Sequence, residues 1–155
     1  MKISVKKEAG HYLLSICYSV SASLAESWDL LATNSGARWF PQLRVEGDKL
    51  IFEMEDFREV MELLEYRKNE KIAYRWDSAT VSFTLSQLEN QTLITFEERI
   101  PEDFGNEFAN AQKDMIGWLV QNECIKKFLE GQEPPVRQPL QEKWKTFLEL
   151  ELEGL

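Results

Sequence analysis

The sequence predicts an α+β domain, a meander of about six to seven antiparallel strands closed by one long helix, with two short helices after the first strand. Two observations carry this. Between residues 43 and 100 apolar residues alternate with polar ones in runs separated by short polar turns, the mark of antiparallel strands. From Asn106 the period lengthens to that of a helix and holds to Leu129. A chain of 155 residues, 43% hydrophobic and with 5 tryptophans, has the length and material for one hydrophobic core.

Tyr12 to Val20 is rich in aromatic and branched residues and reads as the first strand. Ser23 followed by Glu26 matches a capping box, in which each side chain satisfies a free amide of the first helical turn. Leu24, Trp28 and Leu31 then share a face, which predicts a helix over Leu24 to Ala32. Ser35-Gly36 breaks it, and Ala37-Arg38-Trp39-Phe40 reads as a short second helix closed by Pro41.

The strands follow in pairs. Leu43 to Glu46 and Leu50 to Met54 flank Gly47-Asp48-Lys49. Arg58 to Tyr66 and Lys71 to Trp76 flank Arg67-Lys68-Asn69-Glu70, and Ala79 to Leu88 and Thr92 to Ile100 flank Glu89-Asn90-Gln91. In Ala79 to Leu85 every second residue is apolar, so one face is buried and the other wet. The long helix carries a stripe of Phe108, Ala111, Met115, Trp118, Leu119, Ile125 and Leu129, with Gly131 as its C-cap and Pro134-Pro135 forbidding continuation.

A tail remains after the domain of residues 1–133. In residues 134–155, Leu140, Trp144, Phe147 and Leu148 fit one face of a helix, whereas Leu148, Leu150 and Leu152 alternating with Glu149, Glu151 and Glu153 fit a strand. Both readings stand at this level. In either, exposing these side chains together would leave an apolar patch that monomers rarely tolerate, so the tail is expected to pack on the domain or on a partner subunit.

The formal charge of −9 excludes a general nucleic-acid or anionic-lipid surface, which requires a lysine and arginine excess. Lys6-Lys7 and Lys126-Lys127 are too short to reverse it. No apolar run approaches the ~20 residues of a membrane helix. The first residues alternate apolar and polar and hold no signal-peptide core. Cys17 and Cys124 fall in different elements and read as buried thiols, and the cytoplasm is the expected compartment.

The order of elements, with Trp28, Trp39-Phe40-Pro41, Lys49 to Met54, Thr92 to Phe96 and Gly117-Trp118, resembles the START-like (SRPBCC, helix-grip) superfamily over roughly residues 10 to 131. Within it the chain is most similar to the branch named after the activator of the heat-shock protein 90 ATPase. The resemblance implies a curved antiparallel sheet wrapped around the long helix. The chain departs from the family at Glu55-Asp56-Phe57-Arg58-Glu59, where members often carry a Gly-rich polar segment, and in the acidic tail. The superfamily includes lipid and hormone binders, aromatic cyclases and co-chaperone domains, and fold alone does not choose among them.

Catalytic sets are sparse. The one histidine, His11, stands beside Gly10 and reads as a turn residue ahead of the first strand. Neither cysteine belongs to a Cys-x-x-Cys pair, and no Gly-rich phosphate loop is present, so neither a metal nor a cofactor is expected. Glu97 and Glu98 point to opposite faces of a strand, and with Ile94, Phe96 and Ile100 inward, Glu98 faces inward too. It is either bonded to Arg75 or Arg99 or a polar anchor for a ligand. Gly117 costs roughly 1 kcal/mol in a helix interior, which close packing or an approaching ligand would explain.

The candidate site is therefore a cavity between sheet and long helix, lined by Trp39, Tyr74, Trp76, Phe83, Phe96, Glu98 and Trp118. Alternation puts Tyr74 with Trp76, and Phe96 with Glu98, on shared faces that antiparallel pairing sets side by side. The leading reading is non-catalytic binding of a small hydrophobic or amphipathic molecule, by a monomer or homodimer. A protein-interaction domain of co-chaperone type, with an acidic surface for a basic partner, is the second reading. A cyclase or dehydratase using Glu98 and Tyr74 in the same cavity is the third.

Overall fold

The computed structural model describes residues 1–33, 43–106 and 109–155. The short second helix expected over Ala37 to Phe40, including Trp39, and the stripe residue Phe108 lie outside the described residues.

Strands β1 (Lys2–Glu8) and β2 (His11–Val20) form the first hairpin. Its turn, Ala9-Gly10, has φ of 50° and 79°, the paired positive values whose twist matches that of the flanking strands. The alternation at the amino terminus is thus that of a strand, and the sheet has eight strands rather than the expected six or seven. His11 opens β2 instead of preceding it, with Nδ1 3.2 Å from the Ala9 carbonyl oxygen.

Helix α1 (Leu24–Ala32) has the bounds its capping box predicts. Ser23 Oγ accepts from the Glu26 amide at 3.1 Å, the expected half of the box, while Glu26 Oε1 accepts from the Ser23 hydroxyl at 3.2 Å rather than from its amide. Trp28 is buried and meets the Tyr66 ring edge-on at 5.3 Å.

The meander runs through β3 (Leu43–Glu46), β4 (Lys49–Met54), β5 (Phe57–Arg67), β6 (Lys71–Trp76), β7 (Ala79–Leu88) and β8 (Gln91–Pro101). All pairings are antiparallel in the order β1-β2-β8-β7-β6-β5-β4-β3, so β8 returns to pair with β2 and closes the first hairpin onto the meander. Two inner rows matter for the site. Ile72, Phe83, Phe96 and Ile16 stand in register across four strands, and Tyr74, Val81, Glu98 and Leu14 form the next row. A register shift between Leu63 and Glu65 changes the parity of β5, so that Tyr66 pairs with inward Ile72 and reaches Trp28.

Helix α2 (Ala111–Leu129) packs on β2 and β8. It begins five residues after the expected Asn106 because Asn110 is the cap, its Oδ1 accepting from the Lys113 amide at 2.9 Å. It ends at Gly131, φ 70°, where the amides of Gly131 and Gln132 return to the carbonyls of Phe128 and Lys127 in a Schellman motif. Tyr18 donates to Asn122 Oδ1 at 2.8 Å, and Asn122 donates to the Trp118 carbonyl at 2.9 Å, a buried polar link that fixes α2 against β2.

The tail is helix α3 (Arg137–Glu153), packed along α2. Trp144 and Leu148 are buried, and Lys143 pairs with Glu123 at 2.8 Å. The helical stripe prevails over the Leu-Glu alternation because it has an apolar neighbour to cover, and Leu150 is left 64% exposed. Among the described residues, no helix is long and apolar enough to cross a membrane.

Candidate functional site

Where sheet and long helix face each other, aromatic rings fill the middle of the space. Phe83 and Phe96 lie 5.1 Å apart, Trp118 stands 4.8 Å from Phe96 and 6.2 Å from Phe83, and Trp76 meets Trp118 at 5.1 Å. These centroid distances are those of tilted and edge-to-face contact, the geometry of a packed aromatic core. Four of the residues read from the sequence are therefore together. Tyr74 and Glu98 are buried one row away, and Trp39 lies outside the described residues.

The open space is displaced toward one end of this cluster. A cleft of about 350 Å³ lies between the β4–β6 side of the sheet and the start of α2. Phe52, Phe57 and Met61 form its sheet wall, and Trp76 joins that wall to the aromatic cluster. Glu59, Asp77, Asn106 and Asp114 supply its polar rim, with Arg58 at the mouth. Asn106 Nδ2 donates to Asp77 Oδ2 at 3.0 Å, tying the β6–β7 turn to the segment before α2. A smaller recess of about 190 Å³ lies beside Asp114, Gly117 and Trp118. A Cβ built on Gly117 meets nothing within 4 Å, so tight packing does not account for this glycine.

The electrostatic centre is a carboxyl pair. Glu98 is 1% exposed, and among the described residues neither of its oxygens accepts from a donor. Its neighbour is Asp114, one turn before Trp118 on α2. The expected bond to Arg75 or Arg99 is not made. Arg75 pairs with Glu62 at 3.2 Å, and Arg99 lies on the opposite, exposed face of β8, where strand alternation puts it.

Burial pushes the Glu98 carboxyl well above the usual carboxylate range, reinforced by a bond to Asp114 and by the Asp114 charge. Burial also raises Asp114, which the bonds from Glu98 and from Trp76 Nε1, at 3.0 Å, oppose. Two ionised carboxylates are both acceptors and cannot bond, whereas a protonated Glu98 donates to Asp114. When the pair carries one proton, it presents one buried negative charge at Asp114 to the cleft. Behind it, burial and then the Glu98 charge push the Tyr74 phenol up. At the rim, burial and then the Asp77 charge raise Glu59.

Phe57, Glu59 and Asp114 were absent from the sequence-based site. A signal existed for each. Phe57, Glu59 and Met61 share one face by alternation, and Asp114 precedes Trp118 by the four residues that align side chains on a helix. Among the described residues, no group of three His, Cys, Asp or Glu side chains could hold a metal ion.

No protein-family model and no curated protein matches the chain. Solved structures do. A conserved protein of unknown function from Enterococcus faecalis superposes with a TM-score of 0.81 at 24% identity, over 97% of this chain and 92% of that one. CalU16 from Micromonospora echinospora gives 0.67 at 14% identity over 97% and 96%. The Aha1 dimer from Colwellia psychrerythraea gives 0.60 at 18% identity over 76% and 96%. At these identities the likeness is one of fold, the helix-grip fold, and it does not select a branch or an activity.

Proposed function

We propose that the protein is a binding module that takes a small amphipathic molecule in the cleft between the β4–β6 side of the sheet and the start of α2. The observation that carries this is a space of about 350 Å³ with an aromatic wall on one side and a fixed carboxylate on the other. Ligand sites of this size are typically apolar with a few placed polar groups, and the wall of Phe52, Phe57 and Trp76 opposite Asp114 fits that description. Of the residues read from the sequence, Trp76 meets the ligand directly. Phe83, Phe96 and Trp118 support it from behind, Glu98 sets the charge of Asp114, and Tyr74 stands behind Glu98. His11, the chain's one histidine, opens β2 and does not line the cleft. The reading is binding without turnover.

The test is nuclear magnetic resonance titration with 2-naphthylmethanol, a flat apolar body carrying one hydroxyl. A saturable shift of the Trp76 indole N–H signal is expected, and Phe57→Ala should weaken it while the other indole signals keep their dispersion. A spectrum unmoved up to the solubility limit by this probe and by its charged analogues would refute the reading.

A further inference from the structure

We infer that the cleft is built for an organic cation, an apolar body carrying an ammonium or amidinium group, with Asp114 as its counter-ion. This rests on the binding function proposed above and specifies the chemistry of that same site.

Charge is the first argument. Among the described residues, the cleft is edged by Glu59, Asp77 and Asp114 against one guanidinium, that of Arg58. Arg58 is already engaged, its Nε 3.4 Å from Glu53 Oε2 on the neighbouring strand. Asp114 faces Glu98 from β8, Trp76 from β6 and Asp77 from the following turn, and Tyr74 stands beside Glu98. None of these is cationic. The nearest on its own helix, Lys113, borders the smaller recess and makes no ion pair with Asp114.

Partnership is the second. An ionised carboxylate taken out of water is costly unless a cation or several donors compensate it. Among the described residues, Asp114 has the Trp76 indole and the proton it shares with Glu98, and no cation pairs with either carboxyl. Trp118 Nε1, on the same face of α2 beside the smaller recess, is buried and has no partner among the described residues. Asp114, at the edge of the cleft, and Glu98 behind it thus have less compensation than a buried charge requires, and a ligand bearing two or three N–H donors supplies it through Asp114.

The walls agree. Phe52, Phe57 and Trp76 present aromatic rings beside that charge, and the negative face of an aromatic ring attracts a cation as well as an apolar body. A neutral ligand leaves the charge uncompensated, and an anionic one meets three carboxylates.

The experiment compares three probes of one shape: 2-naphthylmethylammonium, 2-naphthylmethanol and 2-naphthoate. On the intact chain at neutral pH the ammonium should bind about tenfold or more tighter than the alcohol, the gain of one charge-assisted hydrogen bond, and the naphthoate should bind least. Asp114→Asn keeps an acceptor for Trp76 and should abolish the preference of the ammonium over the alcohol. Acidification protonates the pair, so the ammonium should weaken as pH falls while the alcohol does not. Equal binding of alcohol and ammonium overturns the cation inference and leaves the binding function standing. Failure of all three probes overturns both. If Asp114→Asn unfolds, the pH dependence on the unaltered chain decides alone, since a purely structural carboxyl pair would move both probes together.

Discussion

Trp76 on β6 donates its indole N–H to Asp114 Oδ1 on α2 at 3.0 Å, joining the sheet wall of the cleft to the helix wall. The same indole packs against Phe52 at 5.8 Å and Trp118 at 5.1 Å, so its position is set on both sides by rings. Trp76→Phe keeps an aromatic ring and removes the donor. A hydrogen bond to a charged group contributes about 1.5–3 kcal/mol, and a loss of that size is expected in urea denaturation. In an Asp114→Asn background the same change should cost less, because the bond is then between neutral groups.

Glu98 sets an unusual dependence of stability on pH. Its carboxyl is raised in the folded chain relative to the unfolded one, mainly by burial. A raised acid contributes stability that is fully present below the unfolded pKa and is lost as pH rises through the folded pKa. Stability should therefore decline above about pH 4.3, by up to about 1.4 kcal/mol per pH unit for one proton, until Glu98 ionises in the folded state. Glu98→Gln removes the titration. Denaturation midpoints at several pH values should show the variant gaining on the parent as pH rises, and a constant difference between them would contradict the assignment.

Gly117 stands in the middle of α2 beside the small recess, with open space where a side chain would be. Gly117→Ala should stabilise the protein by up to about 1 kcal/mol, the helix-propensity difference, because no neighbour has to move. If thermal denaturation instead shows a loss, the recess is tighter than these contacts describe. A stabilised variant that binds 2-naphthylmethanol less well would identify the glycine as an opening for the ligand.

The strand meander and the long helix were legible because each repeats a period over many residues, and the Ser23-Glu26 capping box fixed the start of α1. The first strand was not, because Lys2 to Glu8 is short, carries four charges and gains its place only by pairing with β2. The Glu98 partner was misread for a related reason. Sequence shows that Arg99 is adjacent, but alternation turns it to the other face, and the actual neighbour is 16 positions away on a helix. The cleft itself was displaced from its expected centre because rings that share a face also fill it. Phe83, Phe96 and Trp118 meet at contact distance, and the room lies beyond them, next to Phe57 and Glu59.

The tail offers the sharpest separation between two patterns written in one stretch of sequence. As a strand, residues 148 to 152 would put Leu148 and Leu150 on the same face and make them equivalent. As helix α3 they point in different directions, Leu148 fully buried against the domain and Leu150 64% exposed. Leu148→Ala should then cost about 2–5 kcal/mol, the range for truncating a buried leucine, while Leu150→Ala stays within about 0.5 kcal/mol. Equal effects at the two positions would restore the strand. The same packing makes removal of residues 134–155 a test of whether the tail is an independent extension. Deleting it uncovers the α2 surface that Trp144 and Leu148 occupy and breaks the Lys143–Glu123 pair. Such an apolar patch is rarely left open to water, so the shortened chain should lose solubility or associate, as read by sedimentation velocity. A shortened chain that sediments as a monomer and keeps its denaturation midpoint would mean that α3 contributes nothing to the fold it lies on.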